Sequence, residues 1–166
     1  EIFLKFNPFA QKDVTSWLIN QKIEVIPPLI SDFFMQGFVN LKVRQNQHLQ
    51  RKLTPDFVID WLYKKVQKQI NKVNEIGKNF NYFTPFESIF EKAEKAKQVI
   101  SPGTQFGEGW LISGEILSFA SQGVNHVISL QPFGCIANHI VEKGIEKRIK
   151  SLCPQMNICL LYTSDA

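Results

Sequence analysis

The sequence predicts an α/β domain built on an open, mainly parallel sheet with helices on both faces, incomplete at both ends. Three observations carry this expectation. Short β-rich runs at Ile2 to Phe6, Glu24 to Ile26 and His126 to Leu130 are each closed by turn residues or breakers. Amphipathic stretches with apolar residues at threes and fours lie between them. At each end of the chain, strand and helix alternate in the rhythm of a right-handed βαβ unit.

The elements follow in order. Ile2 to Phe6 reads as a strand ending at Asn7-Pro8, and Gln11 to Gln21 as a helix with Val14, Trp17 and Leu18 on one face. Glu24-Val25-Ile26 reads as a short strand stopped by Pro27-Pro28. Leu29 to Asn40, rich in Phe33, Phe34 and Phe38, reads as a helix under the sheet edge. Thr54-Pro55-Asp56 opens a long helix: Thr54 as N-cap, Pro55 in the first turn, Asp56 against the positive dipole end. Phe57, Trp61, Leu62, Val66, Ile70 and Val73 then recur down to Gly77, which predicts one buried face. After an aromatic loop at Asn79 to Pro85 come a helix over Phe86 to Val99 and the Gly/Pro-rich Ser101 to Gly109. A helix from about Trp110 to Ser121 follows, and Gly123 stops it. Beyond the His126 strand, Gln131 to Ala137 reads as a turn, Asn138 to Ser151 as a helix, and Pro154 to Ile158 as the approach to another strand. The overall pattern is Rossmann-like.

A length of 166 residues suits one domain with its own core. The apolar share of 44% and charged share of 20% are those of an ordinary globular protein. No run of about 18 apolar residues exists to cross a bilayer, and no basic-then-apolar leader precedes a cleavage site. Glu1 to Phe6 reads as the inside of a strand, so the chain is expected to be a fragment of a longer protein. Net charge is +4. Its densest stretch (Lys64, Lys65, Lys68, Lys72) sits at helical spacing opposite an apolar stripe, which is a solvated helix face rather than a nucleic-acid footprint. Cys135, Cys153 and Cys159 make no disulfide framework, which points to a reduced, cytoplasmic setting. Cys159 to Ala166 resembles the translation of a transposon-end oligonucleotide used in sequencing libraries. The expected organisation is therefore a partial domain over 1–158 and a non-native tail over 159–166. The alternative for Ile158 to Tyr162 is a genuine strand.

In open parallel sheets, ligands bind beyond the carboxyl ends of the strands. Two loops take that place here: Asn7-Pro8-Phe9-Ala10 and Gln131-Pro132-Phe133-Gly134-Cys135. In the second, Cys135 arrives where a helix begins, and backbone N–H groups with the helix dipole stabilise a thiolate for metal ligation or nucleophilic use. The same position equally suits a small cysteine filling a strand-to-helix corner. His139, four residues on, shares a helix face with Cys135 and is a candidate second ligand or proton donor, though a histidine there also simply caps or packs. Gly103 to Gly109 opens a helix and could cradle an anion, but it matches neither the dinucleotide fingerprint nor the Walker pattern. Glu108 and Glu115, seven residues apart on a helix, are candidates for acid–base work or a polar edge. There is no CxxC, no HExxH and no supported Ser-His-Asp set.

Four ordered motifs act together: Glu1 to Ala10; Pro27-Pro28-Leu29 with Asp32-Phe33-Phe34; Gly107-Glu108-Gly109-Trp110-Leu111 with Gly114-Glu115; and Leu130 to Cys135 with Asn138-His139. They resemble the C-terminal, dehydratase-like region of proteins related to activators of 2-hydroxyacyl-CoA dehydratases, in the 2-hydroxyglutaryl-CoA dehydratase and benzoyl-CoA reductase superfamily. The resemblance covers essentially residues 1–158. It implies a radical enzyme system of anaerobic metabolism: an ATP-driven iron–sulfur activator passes an electron to dehydratase-like subunits, whose cysteine-held [4Fe–4S] clusters act on a CoA thioester. By the same resemblance Cys135 is the position offered as a cluster ligand, with the other ligands outside this chain. The expected partners are dehydratase or activase subunits or modules of that system, with no nucleic acid and no membrane. ATPase modules of the parent are absent here, so neither ATP binding nor turnover is expected of this chain alone. One departure is that Val141-Glu142-Lys143 precedes Gly144, where family members tend to carry Gly within the helix. Two other functions stay open: a docking module without a cluster, with Phe33 to Phe38 and Tyr82 to Phe86 as its aromatic surface, and a CoA- or nucleotide-binding α/β domain.

Overall fold

The computed structural model describes residues 2–49, 51, 54–131 and 135–162. Helices α1 (Ile2–Phe6), α2 (Val14–Asn20), α3 (Ile30–Asn46), α4 (Asp56–Gly77), α5 (Ile89–Ala96) and α6 (Gly109–Ser121) come first. Strand β1 (His126–Gln131), a π-helical segment (Ala137–Glu142), α7 (Lys143–Leu152) and strand β2 (Asn157–Tyr162) complete the order. The chain is thus mixed helix and strand, and β1 and β2 pair in parallel from His126 opposite Asn157 to Gln131 opposite Tyr162. The connection between them is the helical crossover that a parallel pair requires.

Helix α6 is the organising element. It is mainly apolar, with Ser113, Glu115 and Ser118 as its buried polar residues, and every residue from Gly109 to Ser118 is buried. One side, with Ile112 and Ile116, meets Ala137, Val141, Ile145 and Ile149 from the crossover and Ile158 from β2. The other side, with Trp110 and Leu111, meets Met35 and Val39 of α3 and Ile89, Ala93 and Ala96 of α5. Ile100 packs against both clusters. Helices α5 and α6 cross closely enough that a Cβ on Gly114 would lie 2.7 Å from the Lys92 carbonyl oxygen, so only glycine fits there.

Local signals explain the ends of several elements. Ser88 caps α5 through a full capping box: its Oγ accepts from the Glu91 N–H, while the Glu91 carboxylate accepts from the Ser88 N–H. Gly123 ends α6 at a φ of 84°, in the left-handed region. Pro55, in extended conformation, is the N-cap residue of α4 in place of the expected Thr54, and Asp56 opens the helix.

Several sequence expectations are corrected. Ile2–Phe6 is a short helix, not a strand. Glu24 to Ile26 belongs to no strand, and Pro27 and Pro28 beside it have no N–H to give to a ladder. The N-terminal βαβ unit is therefore missing, and the sheet among the described residues has two strands. The third correction is on α4, where Phe57, Trp61, Leu62, Val66 and Val73 face solvent. The side turned to the protein carries Ile59, Tyr63, Ile70 and Gly77 instead. The expected helix over Asn138 to Ser151 begins as a π-helix, whose wider turn sequence periodicity does not signal.

The expected tail falls partly in β2, which includes Cys159 to Tyr162; Thr163 to Ala166 lie outside the described residues. Among the described residues, no helix is long and apolar enough to cross a membrane.

Candidate functional site

Cys135 stands between the carboxyl end of β1 and the first turn of the crossover helix, as the sequence places it. The Pro132-Phe133-Gly134 turn before it lies outside the described residues. The thiol is half-buried and packs against the cluster formed by Ile112, Ile116 and Val141. Its Sγ donates to Asn138 Oδ1 at 3.0 Å. Asn138 Nδ2 in turn donates to Glu142 Oε2 at 3.2 Å and lies 3.4 Å from the Leu130 carbonyl oxygen. Gln131 Nε2 donates to the same Glu142 oxygen at 2.8 Å and to Ser129 Oγ at 2.8 Å. A buried polar chain therefore runs from Cys135 through Asn138 to Glu142 and back to the last residues of β1. Burial raises the Glu142 carboxyl above its ordinary pKa, with hydrogen bonds from Ser129, Asn138 and Gln131 opposing the rise. In the sequence, Gln131 and Asn138 stand only as members of a motif, without a role, and Glu142 is not singled out as a site residue, since a lone glutamate on the helix carries no motif.

His139 is half-buried, and its backbone N–H donates to the Cys135 carbonyl at 2.8 Å. Its ring packs edge-on to Tyr162 at 5.5 Å between centroids, and its Nδ1 is buried with no hydrogen-bond partner. Among the described residues, no three His, Cys, Asp or Glu side chains converge as metal ligands. Cys153 packs on the same cluster as Cys135, and Cys159 is exposed. Tested against a [4Fe–4S] cluster, the described residues provide Cys135 as one accessible thiol at a strand end and do not supply a complete ligand set.

A second constellation was visible only in part. Lys5 Nζ lies 3.5 Å from Glu108 Oε1 and 3.5 Å from Glu115 Oε2. The three line a cleft of about 700 Å³ between α1, α2, α6, β1 and the irregular segment at Ile23 to Pro28. Buried Gln11 holds the entry geometry: its Nε2 donates to the Lys5 carbonyl at 3.3 Å, and its Oε1 accepts from the Thr15 N–H at 3.1 Å. Burial opposes the Lys5 ammonium, but Glu115 and Glu108 outweigh it and raise its pKa. For Glu115, burial wins over Lys5 and Lys92 and lifts the carboxyl to about 6. Glu108 and Glu115 thus converge, as acid–base work requires. Lys5, read from sequence as part of a strand, is the residue that joins them.

A Glu whose folded value lies above its unfolded value binds its proton more tightly in the fold, so stability is lost as pH rises from 4.5 through about 6. The stability of wild type relative to Glu115→Gln should fall by about 2 kcal/mol across that window, read by urea unfolding at each pH. A flat difference would contradict the burial of this carboxyl.

The Gly103-to-Gly109 loop is fastened rather than open. The Trp110 N–H, at the start of α6, donates to the Thr104 carbonyl at 3.1 Å. Gln105 accepts from Arg44 Nε at 2.6 Å and donates to the Pro102 carbonyl at 3.1 Å. Buried Glu108 is the N-cap residue of α6, which places an acidic residue of the chain itself at the positive helix end. That leaves the loop poorly suited to an anion.

No protein-family model, no curated protein and no solved structure matches this chain.

Proposed function

We propose that this chain is a dehydratase-like module of an ATP-activated iron–sulfur acyl-CoA dehydratase/activase system, working in the cytoplasm beside its activase and dehydratase partners. The observation that carries the proposal is the position of Cys135. It stands at the carboxyl end of a strand in a parallel β–helix–β unit, as the last residue of the sequence motif that begins at Leu130 and just ahead of Asn138-His139. That is where open parallel sheets bind ligands. A Rossmann-like sheet extends beyond β1 and β2 in this account, with the two observed strands as its nucleus. Where the native sequence diverges after Ile158, β2 carries other side chains from position 159 onward.

Cys135 supplies one thiolate, and the remaining ligands come from other parts of the parent or from a partner subunit. The chain's own residues orient that thiol: Asn138 holds Sγ, and Glu142 with Gln131 holds Asn138. A cluster bound there would supply one-electron chemistry. His139 is a secondary candidate, supported by its unpartnered Nδ1.

The competing function is a docking module without a cluster. Phe34, Phe80 and Tyr82 favour it, since they stand well out into solvent. A CoA or nucleotide site gains little from the cleft, because Lys5 on its lining is already paired with Glu108 and Glu115, and Glu24 and Glu142 add further carboxylates. Iron and acid-labile sulfide, measured on the anaerobically purified full-length protein beside Cys135→Ser, separate the two leading functions.

A further inference from the structure

Helix α4 exposes a face that its own fold does not use. Only Ile59 and Gly77 of its 22 residues are buried. Tyr63 and Ile70, on the same side, pack against the cluster around Trp110. Away from that side, Leu62, Val66, Val73 and Ile76 are 43%, 41%, 49% and 63% exposed.

These exposed residues are ordered in a specific way. Leu62, Val66, Gln69, Val73 and Ile76 follow one another at spacings of four, three, four and three. That is the a/d repeat of a coiled-coil seam, with β-branched Val66 and Val73 at a and Leu62 and Ile76 at d. Gln69, at d, is the single polar interruption of the seam. On the open flank, Lys65 and Lys72 occupy the positions that form interhelical ion pairs. Lys65 Nζ also lies 3.8 Å from the centre of the exposed Trp61 ring, extending the surface along the helix. Lys64 and Lys68 add to the same charge.

We propose that this face of α4 docks an acidic amphipathic helix of a partner protein, with apolar residues against the seam and glutamates facing Lys65 and Lys72. Charge complementarity selects that occupant. A second copy approaching antiparallel would set Lys65 against Lys72 of the other chain, like charges across an apolar seam. A parallel second copy would need the flank carrying Tyr63, Ile70 and Gly77, which is already packed on the fold. A lipid surface favours a helix whose aromatic residues sit on its apolar face, whereas here exposed Phe57 and Trp61 lie on the side of Lys64, Lys65, Lys68 and Lys72, away from the seam. The interface is independent of Cys135 and stands whether or not a cluster binds.

The test uses two synthetic helical peptides of about three heptads, identical in Leu/Val seam and carrying Glu or Lys at every flanking position. Binding to the full chain is read by fluorescence anisotropy. The Glu peptide should bind at least about tenfold more tightly than the Lys peptide, and added salt should weaken it. Val66→Ser with Val73→Ser should remove binding while leaving the circular dichroism spectrum unchanged, since both side chains are exposed. Lys65→Glu with Lys72→Glu should reverse the peptide preference. Equal binding of both peptides, or binding of neither, overturns the proposal. So does dimerisation in sedimentation that the valine variants abolish, which would assign the face to a second copy. Stronger binding to anionic vesicles than to the Glu peptide would assign it to a membrane and equally overturn the partner helix.

Discussion

Replacing Lys92 by methionine is expected to destabilise the fold by about 3–5 kcal/mol, because it strands a buried carboxylate. Lys92 on α5 pairs directly with Asp32 near the start of α3, and both residues are buried. Their attraction offsets desolvation only while both are present. Removing the ammonium alone leaves Asp32 without its counter-ion beside the core cluster that joins α3, α5 and α6. The double replacement Asp32→Leu with Lys92→Met should recover most of the loss, since an apolar pair needs no counter-ion. Chemical denaturation of the three variants reads both effects. A single variant as stable as wild type would contradict the buried pairing.

Trp110→Ala should cost a similar amount, about 3–5 kcal/mol, for a different reason. Trp110 is fully buried, at 0% exposure, on the side of α6 that meets α3 and α5. Its Nε1 donates to Asn40 Oδ1 at 2.7 Å, which ties the first turn of α6 to α3. Alanine opens a cavity and leaves the Asn40 oxygen without this donor. Trp110→Phe keeps most of the volume and loses the hydrogen bond, so it should give up only about 1–3 kcal/mol. Equal losses in the two variants would show that the hydrogen bond, rather than packing, dominates at this position.

The legible parts of the fold are those with a strong local signal. The long helix beginning near Asp56, the mainly apolar helix after Gly109 and the strand at His126 all stand where the sequence puts them. Ile2–Phe6 misleads because a short apolar run has no period of its own. Lys5 finds two carboxylates on α6 when the run is helical, a tertiary contact that no local pattern announces. On α4, periodicity correctly gives a helix with an apolar stripe. It does not reveal that the protein covers the neighbouring side, through Ile59, Tyr63, Ile70 and Gly77, and leaves the richer stripe bare.

The candidate site divides in the same way. Cys135 is legible from the strand-to-helix corner, and Glu108 with Glu115 from helical spacing. The residues that complete both arrangements are illegible. Asn138 and Glu142 gain their roles from the packing of the crossover helix against the end of β1, where Gln131 and Cys135 meet them, and Lys5 gains its role from the approach of α1 to α6.

The most direct test of the central claim is the iron and acid-labile sulfide content of the full-length protein, purified without oxygen, beside its Cys135→Ser variant. The account predicts cluster-level iron and sulfide in the wild type and a clear loss of both in the variant, with circular dichroism unchanged. Iron equal in the two proteins would remove Cys135 from the ligand set. Absence of iron from both would contradict the iron–sulfur function and leave the docking module in its place.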